Sequence, residues 1–435
     1  MPHYAGYLFI LLIFGTMFLN TNIEGGVMKK GLLVLLAVLA CSSAFAKQWT
    51  CVYDGADEKT VEIINACDEL IEKKQYQSAV NIVGGCENEY VIYKYIEVCT
   101  QYFAQSIMHT MFAFKNLEKN ETLYDVRTGE GSFNLIYRDT PDTILDNYEK
   151  DHGKSIIIEL ARANYYYDAL MRYGNQWLKT PDEILAYVKE VYPIAIAGGV
   201  YEESVIDNLA SIYLNEENFA DAETLYEKLT TIDDKNGSYW YNLTVTKMWQ
   251  DKYTEAIETA KKAVENPEEN PEYHLDAYLI LSDAYAYSGN FKSAEKALND
   301  SLKKFKDQPV VYQRMGELYL SFKDNINYSK ATTFFDKAVK TVCDETVIFN
   351  CVKLYLSYGT PQMAIDFCQR NMKKFKDKNK PGLFNFFLAQ VYAYSGDMTN
   401  ANKALDEAEK NFKKQKDDEW LANCEQLRTS FNNAR

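Results

Sequence analysis

The strongest constraint on this chain is that it repeats itself. "YAYSGNFKSAEKAL", Tyr285 to Leu298, and "YAYSGDMTNANKAL", Tyr392 to Leu405, agree at nine of fourteen positions and lie 107 residues apart. That separation is three units of about 36 residues, a period that signals stacked supersecondary units rather than one globular core. With Ala294 and Ala401 as anchors, equivalent alanines stand at Ala222, Ala256, Ala331 and Ala364. Nine residues before most anchors is a tyrosine: Tyr213, Tyr285, Tyr355 and Tyr392. Tyr319 joins them if three residues are inserted around Asn325 to Asn327, and Lys247 is the exception. A small residue follows seven positions after four anchors, at Ala263, Ser301, Ala338 and Ala408. Pro267, Pro271, Pro309 and Pro381 fall between units, where helices must end.

The pattern is that of two short antiparallel helices per unit. Small anchors let the two backbones approach, while columns of tyrosine and leucine fill the space around them. Helices of about 12–15 residues are marginal alone in water. Stacking each pair on the next covers its apolar face, at roughly 1.5–3 kcal/mol per large side chain buried. An isolated unit is therefore expected to be unfolded and the array stable.

The unit "GSYWYNLTVTKMWQDKYTEAIETAKKAVENPEEN", Gly237 to Asn270, resembles the tetratricopeptide repeat (TPR) family. It has that family's tryptophan at Trp240, leucine at Leu243, alanines at Ala256 and Ala263 and a closing proline at Pro267. Thr244 and Lys247 depart from it, where small and aromatic residues are usual. The resemblance extends from Glu203 to about Gln415 as six units. It implies an all-α, right-handed TPR superhelix (an α-solenoid) of antiparallel helix pairs. The function it implies is that of a protein–protein interaction scaffold, holding a peptide or protein partner in the concave groove lined by the first helix of each unit.

In such arrays an asparagine fourteen residues before the anchor can hydrogen-bond an extended peptide's backbone. That position holds Asn65, Asn208, Asn242 and Asn350, with Arg314 in the inserted unit and Ile280 and Phe387 in two others. A side-chain amide offers both donor and acceptor, so it can meet a peptide N–H and C=O together. One residue earlier stand Tyr241, Phe349 and Phe386, which can pocket side chains, and Trp249 and Tyr287 follow on the same side. The family's carboxylate-clamp mode is not expected, because the lysines and arginines it needs are missing around these asparagines.

The amino terminus raises its own question. Lys29 and Lys30, the apolar run Gly31 to Ala40 and the ending Ala44-Phe45-Ala46 form an export signal that begins at Met28. In the favoured reading Met28 is the start, 1–27 is an upstream extension and 28–46 is the signal peptide. The other reading makes residues 4–19 a membrane segment, though 16 residues are short of the ~20 that span a bilayer. Lipidation at Cys41 is a further alternative, although Leu39 is bulky for a lipobox. The expected location is the periplasm or cell envelope, or secretion.

The rest divides into a helical region at 47–114 with a degenerate unit around Ala79, an insertion at 115–154, a helical pair at 155–202, the six units at 203–415 and a capping helix at 416–435. "YVIYKYIEVCTQYFAQSIMHTMFAF" reads as one long aromatic helix. The stretch "TLYDVRTGEGSFNLIYR" alternates on both sides of a glycine turn, which predicts a small β-hairpin insertion or an irregular loop.

Composition narrows the function. A net charge of −15 repels phosphate backbones, so nucleic acid is not an expected partner, and charged partners should be basic. Beyond Cys41, eight cysteines in an exported chain favour disulfides. Cys351 and Cys368 fall at similar heights on antiparallel helices and are expected to lie close enough to bridge. No C-x-x-C pair marks a metal site, and no cofactor motif is present: the lone Gly129-Glu130-Gly131 lacks a strand-then-helix context. His109, His152 and His274 each stand alone in sequence, so no enzyme is expected. The remaining catalytic alternative would place a site in the 115–154 insertion. A second alternative is a membrane-attached TPR lipoprotein within an outer-membrane assembly or secretion machine.

Overall fold

The computed structural model describes residues 52–129, 137–138, 140–174, 179–199, 202–267, 271–375 and 380–433. The signal segment, Cys41 and Cys51 lie outside them, as do residues 130–136 of the expected hairpin. The chain is a nearly all-α solenoid with one two-stranded sheet. It divides into two compact units, Met1–Leu225 and Tyr226–Arg435.

The first unit opens with α1 (Glu58–Glu72), capped by Asp57, and α2 (Tyr76–Val83). Ala79 is fully buried, and Lys74, five residues before it, turns the chain at φ 57°. The same left-handed step stands five residues before later anchors, at Glu217, Asp251, Gly289 and Gly396. This pair thus has the turn geometry of the later repeats.

Helix α3 (Glu89–Gln101) is shorter than the long helix its sequence predicts. The chain instead leaves it for a hairpin, β1 (Gln105–Ile107) with β2 (Met111–Ala113), paired antiparallel with Ser106 opposite Phe112. Met108 and His109 both have positive φ, and Thr110 N–H donates to the Ile107 carbonyl at 2.9 Å. Positive φ at both central residues is the type I′ geometry that usually requires Asn or Gly. Tertiary contacts hold it here. Tyr165 donates its hydroxyl to the His109 carbonyl at 2.8 Å, and the His109 ring meets Asp168 at 3.0 Å.

The expected strand at "TLYDV" is also corrected. Residues Leu123–Thr128 form a helix, α4, because Thr122 and Asp125 make a reciprocal capping box. Thr140 caps α5 (Pro141–His152), whose proline sits in the first turn. Then come α6 (Ile156–Tyr173), α7 (Pro181–Gly198) and α8 (Glu203–Asn215). The division between the units falls within α9 (Phe219–Ile232).

The second unit stacks five helix pairs. They are α10 (Gly237–Trp249) with α11 (Tyr253–Glu265), α12 (Pro271–Tyr287) with α13 (Phe291–Lys304), and α14 (Pro309–Ser321) with α15 (Tyr328–Thr341). α16 (Glu345–Tyr358) pairs with α17 (Pro361–Lys374), and α18 (Lys380–Tyr394) with α19 (Met398–Gln415). The final helix is α20 (Asp418–Asn433). A 3-10 turn, Lys323–Asn325, takes up the inserted residues between α14 and α15.

The anchors occupy one structural role. Ala222, Ala256, Ala294, Ala331, Ala364 and Ala401 are all 0% exposed. Where a second small residue faces the partner helix, it is needed. A Cβ on Gly316 would lie 2.3 Å from the Phe335 ring. We expect Gly316→Ala to cost about 1–3 kcal/mol through overpacking, read from the urea midpoint. Thr244, the departure noted in sequence, fits by donating its hydroxyl to Thr259 at 2.8 Å.

The tyrosine column has a second role, joining each repeat to the one before it. Tyr319 donates to Glu295, Tyr355 meets Thr332 at 3.0 Å, and Tyr392 accepts from Gln369 at 3.2 Å. Tyr285 lies near Lys261. In each case the partner lies one or five residues past the preceding anchor, on one face of the preceding second helix. Lys247, the exception, makes the same connection by donating to Glu227 at 3.0 Å, and also reaches Glu255 at 2.9 Å.

Candidate interaction face

Within the second unit, α10, α12, α14, α16 and α18 form a contacting series, each touching the next, and of the second helices α15 and α17 also touch. The first helices thus form one continuous row of the stack. Along α12 the spacing Asp276, Ile280, Asp283, Tyr287 follows one helical stripe. On α14 the matching stripe is Val310, Arg314, Glu317, Ser321, and on α16 it is Thr346, Asn350, Lys353, Ser357.

The expected binding residues fall into three groups. Tyr241, Asn242, Trp249 and Asn350 are half-buried on their helices. Tyr287 and Phe349 are exposed, at 57% and 47%. Phe386 is buried instead, its ring edge-on to Trp420 at 5.1 Å, so it belongs to the packing between α18 and α20. Asn208, in the first unit, is half-buried near the buried Tyr192 of α7, whose hydroxyl has no hydrogen-bond partner among the described residues.

Arg314 sits between two carboxylates. Its Nη1 donates to Glu317 at 2.9 Å and its Nη2 lies 3.5 Å from Asp283. The Asp283 charge holds the guanidinium well above its usual pKa. Burial pushes the Asp283 carboxyl up to about 6, with Arg314 opposing that rise. Asp276 is also pushed up to about 6, first by burial and then by Glu272. Sequence reasoning followed the column of asparagines and missed these carboxylates. Their signal was spacing: Asp283 and Glu317 each come three residues after a member of that column.

The cysteines are free thiols among the described residues, and no disulfide joins Cys351 to Cys368. Both are fully buried, and the Cys351 thiol accepts from the Gln313 amide at 3.7 Å. Burial pushes the Cys368 thiol up to about 12, and the Cys351 thiol is also raised by burial. Both are therefore held as thiols rather than thiolates.

The histidines do not converge on a pocket. His109 is enclosed by the rings of Phe103, Phe112 and Tyr165, and its partner Asp168 is also bound by Arg172 at 2.9 Å. His152 is exposed at the end of α5, stacked on Tyr148. Among the described residues no group of three or more His, Cys, Asp or Glu could hold a metal ion, and no helix is long and apolar enough to cross a membrane.

The family model described as Tetratricopeptide repeat matches residues 204–236, the α8–α9 pair. Residues 204–236 carry a tetratricopeptide repeat. No curated protein matches the sequence. Among solved structures, a tetratricopeptide repeat protein from Parabacteroides merdae is 14% identical, with a TM-score of 0.38 over 62% of this chain and 98% of that one. A thermophilic TPR protein from Thermus thermophilus is 20% identical, with a TM-score of 0.31 over 44% of this chain and 100% of that one. PilW, described as a type IV pilus biogenesis factor, is 15% identical, with a TM-score of 0.36 over 50% of this chain and 94% of that one. The repeat fold is that of a protein-interaction scaffold.

Proposed function

We propose that the protein is a non-enzymatic scaffold that binds a polypeptide along the first-helix row of its second unit, in the cell envelope. The observation that supports the binding face most directly is exposure. Tyr287, Phe349 and Tyr394, at 57%, 47% and 68%, leave large rings uncovered on first helices whose other apolar side chains are packed. Rings at such positions supply contact area at low entropic cost to a partner. Asn242 of α10 and Asn350 of α16 lie on the same series of first helices and have the donor and acceptor a peptide backbone needs. The envelope location rests on the Lys29 to Ala46 signal pattern.

Site-specific photocrosslinking in cells tests the face. Benzoylphenylalanine at Asn242, Tyr287 or Phe349 should give discrete polypeptide adducts, whereas the same group at Lys296 or Lys410, on the second helices, should not. Adducts confined to the second helices would overturn the proposal.

A further inference from the structure

We propose that the matching stripes of α12 and α14 select a segment carrying lysine or arginine. The inference deepens the reading above and rests on it. Glu272 acts on Asp276 and Glu317 on Asp283, and Arg314 is the cation that acts on both aspartates. Arg314 pairs directly with Glu317 and Asp283, and Asp276 lies further along the stripe within reach of the same charge. Three carboxylates thus share one guanidinium, an excess of negative charge that a second cation would neutralise.

Aromatic rings flank the same patch. Tyr287 follows Asp283 by four residues, and its ring stacks on Tyr253 at 5.6 Å while over half its surface stays open. From α16, Tyr358 comes near enough for Glu317, Tyr287 and Asp283 to raise its phenol. A cationic side chain entering here meets carboxylates at its head and ring faces along its stem, which suits both charge pairing and cation–π contact. An acidic segment would meet repulsion and a desolvation cost.

The test uses the full chain and three fluorescein-labelled ten-residue peptides. One alternates lysine with leucine, and the others replace lysine by glutamine or by glutamate. Anisotropy is read at physiological ionic strength, where bulk attraction is screened. The lysine peptide should bind, and Asp276→Asn/Asp283→Asn should weaken it roughly ten-fold. Glu258→Gln/Glu407→Gln, an equal charge change at exposed sites on second helices, should leave it unchanged. Asparagine suits positions where burial already disfavours the carboxylates, and circular dichroism checks that the variants are folded. Equal weakening by the two double variants would overturn the inference, as would equal binding of the glutamine peptide. In either case dependence on Tyr287→Ala/Phe349→Ala would keep the face itself. Indifference to that pair, for every peptide, would remove the face as well. Self-association lost with Asp276→Asn/Asp283→Asn would replace the peptide by a second copy and also overturn the inference.

Discussion

Phe335→Ala is expected to lower the stability of the second unit by about 3–5 kcal/mol. The ring is fully buried, sits on the space that Gly316 leaves open, and meets Tyr355 of the next repeat edge-on at 4.8 Å. Its removal therefore leaves a cavity shared by two repeats, and neither can close it without moving its own helix pair. Phe349→Ala, at an exposed position, should cost under about 1 kcal/mol. Urea unfolding followed by circular dichroism separates the two. A broadened transition with a reduced slope is expected for Phe335→Ala, because a weakened nearest-neighbour contact breaks the cooperativity of the stack. Equal midpoints for the two variants would contradict the packing described.

The second large effect concerns Lys247. Its side chain is 6% exposed, whereas its partners Glu227 and Glu255 are 55% and 58% exposed. Glu227→Gln/Glu255→Gln should cost about 2–3 kcal/mol, since a buried ammonium loses two counter-charges. The partial exposure of the carboxylates keeps the figure below that of a fully buried pair. Lys247→Tyr restores the residue the column otherwise carries and should be near neutral. The same melts read both outcomes. A double variant as stable as the parent would show that Lys247 is held by packing alone.

The period and the anchors were legible because they follow from a small residue being required at one place in every pair. Lys247 was legible as an exception but not as a substitute, since the repeat-to-repeat bond appears only when neighbouring second helices are in place. The hairpin after α3 was not legible. Met108 and His109 bear no turn signature, and the conformation is held by Tyr165 and Asp168, far along the chain. The opposite holds at Thr122, where the x-x-Asp125 cap is written in the sequence and its reciprocal bonds override the apolar alternation that predicts a hairpin. On the candidate face, the asparagine column was legible, yet its value was not uniform. Asn208 lies in the first unit, outside the contacting series of first helices in the second, and the carboxylates around Arg314 carry the distinctive chemistry.

Helix α20 covers apolar surface of the pair before it. Trp420 lies flat on Phe412 at 5.4 Å and edge-on to Phe386, covering the apolar surface that a following first helix would need. Glu419, Glu425, Gln426 and Thr429 point to solvent on its other side. Water therefore meets a polar skin over α18 and α19 where their own side chains would have presented bare grease.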